Sequence, residues 1–193
     1  VTSRPPEQVL SLHAQDPQRI LPLLGVYRSA AEKHSWAPDT TLPERVAQAL
    51  ASGPWRGVGE LHIFAEQRRS PVFLRIVELA TARGLPLLMH CDPAVIDTLF
   101  DHAPDATVIW AHAGAYPYPS LLRDYLPRKA GLRVSFVDVS DLEAIDAAFT
   151  ERTKVLYVES VANPTLRVAD IPRLAALAHR HGARLVVDNT FSP

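Results

Sequence analysis

Short apolar runs alternate with amphipathic helical stretches along almost the whole chain, and this alternation restricts the fold more than any other feature. Arg19–Tyr27, Gly57–Phe64, Leu85–His90, Thr107–His112, Leu132–Val137, Thr153–Glu159 and Arg184–Asp188 read as strands. Leu42–Ala51, Pro71–Arg83, Pro93–His102, Asp141–Phe149 and Ile171–His181 read as the helices between them, several opened by proline and two closed by glycine. Apolar strands flanked by helices are buried on both faces. The pattern therefore predicts an α/β fold of alternating strand–helix units with a parallel sheet. At 193 residues the chain is too short for a complete (β/α)8 barrel, which typically takes about 250.

Composition narrows the function classes. Twenty basic and 21 acidic side chains nearly cancel, and no basic run is present, so no nucleic-acid surface is expected. No apolar run approaches the roughly 20 residues that span a bilayer, so no membrane partner is expected either. Cys91 is the only cysteine, which excludes an internal disulfide and suits a reducing, cytoplasmic setting. The N-terminus has neither a signal-peptide core nor a starting methionine, and reads as an internal excerpt.

One seam interrupts the rhythm. Tyr116-Pro117-Tyr118-Pro119 forms a rigid loop, Leu121–Leu126 a short helix, and Arg128-Lys129-Ala130-Gly131 leads into the next strand. The expected division is 1–127 and 128–193, because the chemistry differs on the two sides.

Before the seam, His90 and His112 each close an apolar strand on neighbouring units, where parallel α/β folds bind their ligands. Glu60 and His62 share one strand face at i, i+2. A His/His/carboxylate set suits Zn²⁺ or a similar divalent ion that activates water. The same histidines also read as ordinary hydrogen-bond partners. His62 reads as structural, and Cys91, turned away from His90 by strand alternation, as a buried thiol.

The motifs Gly57-Val58-Gly59-Glu60-Leu61-His62, Leu87-Leu88-Met89-His90-Cys91-Asp92 and Ile109-Trp110-Ala111-His112-Ala113-Gly114 carry a resemblance. From about Val9 to Pro127 the chain resembles the TIM-barrel metal-dependent amidohydrolases. The resemblance implies a half barrel in which His90 and His112 are metal ligands and Glu60 takes the bridging position. It also implies a first-strand His-x-His pair and an eighth-strand aspartate, neither of which this sequence has.

After the seam, Asp188 ends the strand Arg184–Val187. It reads either as a solvated acid or as a carboxylate for a protonated pyridine nitrogen. Asn163, extended because Pro164 follows it, projects its amide from a fixed backbone. The run Val134-Ser135-Phe136-Val137-Asp138, Glu159-Ser160, Asn163-Pro164, Asp170-Ile171, Ala178-His179 and Val187-Asp188-Asn189-Thr190-Phe191 is similar to the pyridoxal-phosphate (PLP) enzymes of cysteine and methionine metabolism. That similarity implies part of a PLP-transferase large domain, with Asp188 on the ring nitrogen and Asn163 near the phenolic oxygen. It places the Schiff-base lysine past Pro193, and Lys129 and Lys154 do not match its context.

Three readings follow. The favoured one is a chimera of two partial enzymes without native catalysis, in which no residue has a catalytic role. The second is a metal-dependent hydrolase using His90 and His112, and the third a PLP-binding module. A small-molecule substrate is expected if either chemistry operates. Sheet edges without their usual neighbours predict self-association.

Overall fold

The computed structural model describes residues 5–111, 121–125, 127–128, 131–162 and 165–189. The chain is α/β with parallel strands and divides into two compact units, Val1–Leu122 and Arg123–Pro193.

In the N-terminal unit, strands β1 (Val58–Ile63), β2 (Leu87–Cys91) and β3 (Val108–Trp110) form a parallel sheet in that order. Helices α1 (Pro6–His13) and α2 (Leu42–Ser52) precede the sheet; α3 (Pro71–Thr81) and α4 (Pro93–His102) are its crossovers. Helix α3 starts where Ser70 accepts a hydrogen bond from the Phe73 amide and proline occupies the first turn, where no N–H is needed. Its apolar residues Val72, Phe73, Ile76, Val77 and Ala80 recur at helical spacing and are buried. They join Leu24, Leu61, Ile63, Leu87, Met89 and Leu99 in one core.

Arg19–Tyr27 does not form the expected strand. Only Leu24 bridges β1, in parallel with Val58, donating to the Gly57 carbonyl and accepting from the Gly59 amide. Pro22, without an N–H, contributes only its carbonyl, which accepts from Arg56. The ladder thus cannot extend through it.

In the C-terminal unit, β4 (Val155–Glu159) and β5 (Arg184–Asp188) pair in parallel. Helices α5 (Leu142–Ala148) and α6 (Ile171–Arg180) are capped by Asp141 and Asp170, which accept from the Ala144 and Arg173 amides. Ile145, Val158, Leu174 and Leu177 make its core, with Leu156, Leu185 and Val187 packed against them. The other sheet face carries Val155, Tyr157 and Val186, exposed at 50%, 54% and 41%.

Leu132–Val137, expected as a strand, joins no ladder among the described residues, and Leu132 and Phe136 are exposed. An extended apolar run becomes a strand only when a neighbour accepts its hydrogen bonds. The described strands therefore number five, in a three-stranded and a two-stranded sheet, rather than the seven expected.

Candidate functional site

Strand register builds the first cluster. In the β1–β2 ladder Gly59 faces Leu88 and Leu61 faces Met89, so Glu60 is an extra residue in a bulge. Bulges re-aim a side chain, and this one lies next to a polar cluster. Beyond it His62 faces His90, and parallel neighbours lie about 4.8 Å apart. Their rings stack with centroids 4.2 Å apart. The Glu60 carboxylate spans the edges of both rings: Oε2 is 3.5 Å from His62 Nε2 and Oε1 is 3.5 Å from His90 Nδ1. The three donor atoms lie within 4.8 Å of one another.

Gly59 makes this arrangement possible. Its φ is +131°, and a Cβ there would stand 2.3 Å from the Leu88 carbonyl oxygen. Only glycine allows the two backbones to come this close just before Glu60.

The electrostatics suit metal donors. The His62 and His90 imidazoles, in that order of effect, hold the Glu60 carboxyl well below the usual carboxylate range, against the cost of its burial. Burial lowers the His62 pKa, favouring the neutral ring, although Glu60 pulls the other way. An ionised carboxylate and a neutral imidazole are the forms that bind Zn²⁺, and an N/N/O set is within its repertoire. The residues fit a divalent metal.

This grouping differs from the expected one. Glu60 and His90 meet as anticipated, while His112 lies outside the described residues. His62, set aside as structural, is a full member of the cluster. Its i, i+2 spacing from Glu60 was the available signal, but the pairing with His90 depends on register. Cys91 lies on the opposite face, fully buried, and burial pushes its thiol pKa up. Trp110 Nε1 donates to its carbonyl at 2.9 Å.

The second group sits at the C-terminal ends of β4 and β5. Asp188 closes β5 opposite Glu159, and its carbonyl accepts from the Ser160 amide at 2.8 Å. Tyr157 lies two residues back on the same sheet face and donates its hydroxyl to Asp188 Oδ2 at 2.9 Å. Desolvation of that hydroxyl, and then the Asp188 carboxylate, raise the phenol pKa, so it remains a donor. The Ser160 hydroxyl is buried and has no hydrogen-bond partner among the described residues. A carboxylate oriented at a strand end suits a protonated pyridine nitrogen. Asn163 lies outside the described residues. Tyr157 was not anticipated, because its reach to Asp188 again depends on register.

Comparison with known proteins bears on the second group. The family model described as "Cys/Met metabolism PLP-dependent enzyme" matches residues 87–193, more than half of the chain. Methionine gamma-lyase of Arabidopsis thaliana is 56% identical over 75 residues, 38% of this chain and 17% of that protein. Canavanine gamma-lyase of Pseudomonas canavaninivorans is 44% identical over 73 residues, 38% of this chain and 18% of that protein. Cystathionine gamma-lyase of Dictyostelium discoideum is 47% identical over 72 residues, 36% of this chain and 19% of that protein. The chain thus spans less than a fifth of the length of these relatives. The family match begins at Leu87, inside the N-terminal unit, and gives no support to a join at 127/128 or to an amidohydrolase part. With the strand-end aspartate in place and the match covering β2 through β5, the chain belongs to the Cys/Met metabolism PLP-dependent enzyme family.

Proposed function

We propose that the chain contributes the ring-nitrogen side of a PLP site in a lyase acting on amino acids that carry a heteroatom substituent on the side chain. The substrate class is inferred from the names of its methionine, canavanine and cystathionine relatives. The observation that carries the reading is Asp188 at the end of β5, oriented by the Tyr157 hydroxyl. Bound PLP supplies an electron sink whose strength depends on a protonated ring nitrogen. Asp188 would hold that proton on the ring, Tyr157 would fix the carboxylate's direction, and Asn163 would take the phenolic side. Titrating PLP into the intact protein tests this. A change in cofactor absorbance that Asp188→Ala weakens is expected; no change in the unsubstituted protein would sink the reading.

A second reading concerns the N-terminal unit, and the Glu60–His62–His90 grouping favours it. Here Glu60 and His90, with His112, would hold a divalent ion, which when bound would supply a more acidic water for hydrolysis, as the amidohydrolase resemblance implies. Zn²⁺-dependent hydrolysis abolished by His90→Ala supports it, and activity indifferent to chelator rejects it. We further propose, from motif order alone, that the chain joins pieces of two enzymes near residues 127–131 and lacks turnover of either kind by itself. Measured turnover by this chain would remove that proposal.

A further inference from the structure

We propose that His62 is a metal ligand, and that Glu60, His62 and His90 together offer three donors to a divalent transition ion such as Zn²⁺. The proposal rests on the metal reading of the N-terminal unit. It goes past that reading, which draws on Glu60, His90 and His112 and leaves His62 without contact to the ion.

Distances come first. Both Glu60–imidazole separations are 3.5 Å, longer than the 2.7–3.2 Å of a good N–H···O hydrogen bond. Two donors bound tetrahedrally to one zinc ion at about 2.0–2.1 Å lie roughly 3.3 Å apart. Each Glu60–imidazole pair is therefore close to the spacing of two donors on one ion, one pair through each carboxylate oxygen, and the full donor set lies within 4.8 Å.

The environment of His62 is the second argument. Its peptide is held on both sides: the His62 amide donates to the Tyr27 hydroxyl at 2.5 Å, and Trp36 Nε1 donates to the His62 carbonyl at 2.7 Å. The ring, only 8% exposed as a side chain, has Nε2 buried 3.5 Å from the Glu60 carboxylate, with no hydrogen bond of normal length among the described residues. A buried polar atom of this kind calls for an explanation, and an ion is a common one. Clamping the backbone while leaving the ring nitrogen to face a carboxylate and a second imidazole is how a scaffold aims a ligand.

Register is the third. His62 and His90 are direct partners across β1 and β2, so pairing alone brings their rings together. The bulge at Glu60 adds the carboxylate to the same face. Three donors thus come from two adjacent strands. Catalytic zinc sites commonly use three protein donors, leaving the fourth position to an exchangeable oxygen.

The test uses Zn²⁺ and Co²⁺ alone on the intact protein, by equilibrium dialysis and by Co²⁺ visible absorption, comparing wild type with His62→Asn. Wild type is expected to bind one ion. His62→Asn should lose more than the roughly 10–100-fold that a merely supporting residue costs, with altered Co²⁺ bands. Wild-type binding together with His62→Asn binding within about tenfold, and unchanged bands, would overturn the role of His62 while leaving the metal reading standing. Absence of binding by wild type would overturn both. If circular dichroism shows that His62→Asn does not fold, ring-nitrogen NMR of the wild-type protein during Zn²⁺ titration decides. A shift at His62 supports the proposal, and a shift at His90 without one at His62 rejects it.

Discussion

His62 and His90 face each other across the β1–β2 ladder with their rings stacked 19° from parallel, and the Glu60 carboxylate stands 3.5 Å from a nitrogen of each. Removing that carboxylate leaves two imidazoles packed together without the anion that spans their edges. Glu60→Ala is expected to cost about 1–3 kcal/mol in the metal-free protein, the desolvation cost of a buried polar group whose partner is lost. Glu60→Gln keeps an acceptor and should cost less. Urea unfolding followed by circular dichroism separates the two.

Gly59→Ala should destabilise the N-terminal unit. The added Cβ meets the Leu88 carbonyl oxygen at 2.3 Å, and φ of +131° is a conformation that alanine rarely adopts. Backbone strain of this kind costs about 1–3 kcal/mol before any steric shift is counted. Equal unfolding midpoints for Gly59→Ala and wild type would show that the strands do not approach as described.

At the other group, Tyr157→Phe deletes the hydroxyl that orients Asp188 and leaves the carboxylate. It should weaken PLP binding by a smaller factor than Asp188→Ala, since one orients the charge and the other removes it. Cofactor titrations of the two variants, compared with wild type, give the order directly. The opposite order would rule out a positioning role for Tyr157.

Asp138 is expected to contribute to the acid sensitivity of the C-terminal unit. The Ser140 hydroxyl and amide, and then the Arg167 guanidinium, hold its carboxyl well below the usual carboxylate range. The folded chain therefore binds this proton less readily than the unfolded chain. The stabilisation is fully present above the unfolded value of about 3.9 and is lost as pH falls through the lower folded value. Asp138→Asn should flatten the decline of the unfolding midpoint below about pH 4. Parallel acid profiles for variant and wild type would contradict this.

The exposed face carrying Val155, Tyr157 and Val186 makes self-association an expected property of the chain. Val155→Lys with Val186→Lys should shift the sedimentation distribution toward monomer without changing the circular dichroism spectrum. A wild-type protein that is monomeric across the accessible concentration range would count against it.

How much was legible in the sequence depended on whether a feature was local. The bounds of helices α3, α4 and α6 agree with the sequence reading to within two residues, because proline, capping side chains and helical apolar spacing act within a few residues of one another. Strands β2, β4 and β5 were readable from compact apolar runs. The runs at 19–27 and 132–137 looked the same but form no strand, because pairing depends on a neighbour that an apolar run does not specify. The Asp188 motif was legible because its neighbours in sequence identify it. The membership of His62 in the cluster was not, because strand alternation places it beside Glu60 but says nothing of which residue stands across the ladder.

By itself, then, the sequence determined the α/β class, the parallel rhythm, the shared strand face of Glu60 and His62, and the places of His90 and Asp188 at or near their strand ends, all consequences of short-range patterning. Tertiary structure alone decided that His62 lies on His90, that Tyr157 reaches Asp188, and that Gly59 lets β1 and β2 close together. Each of these is a relation between residues on different strands. Such relations are set by ladder register, where a slip of a single residue would send every one of these side chains to the other face.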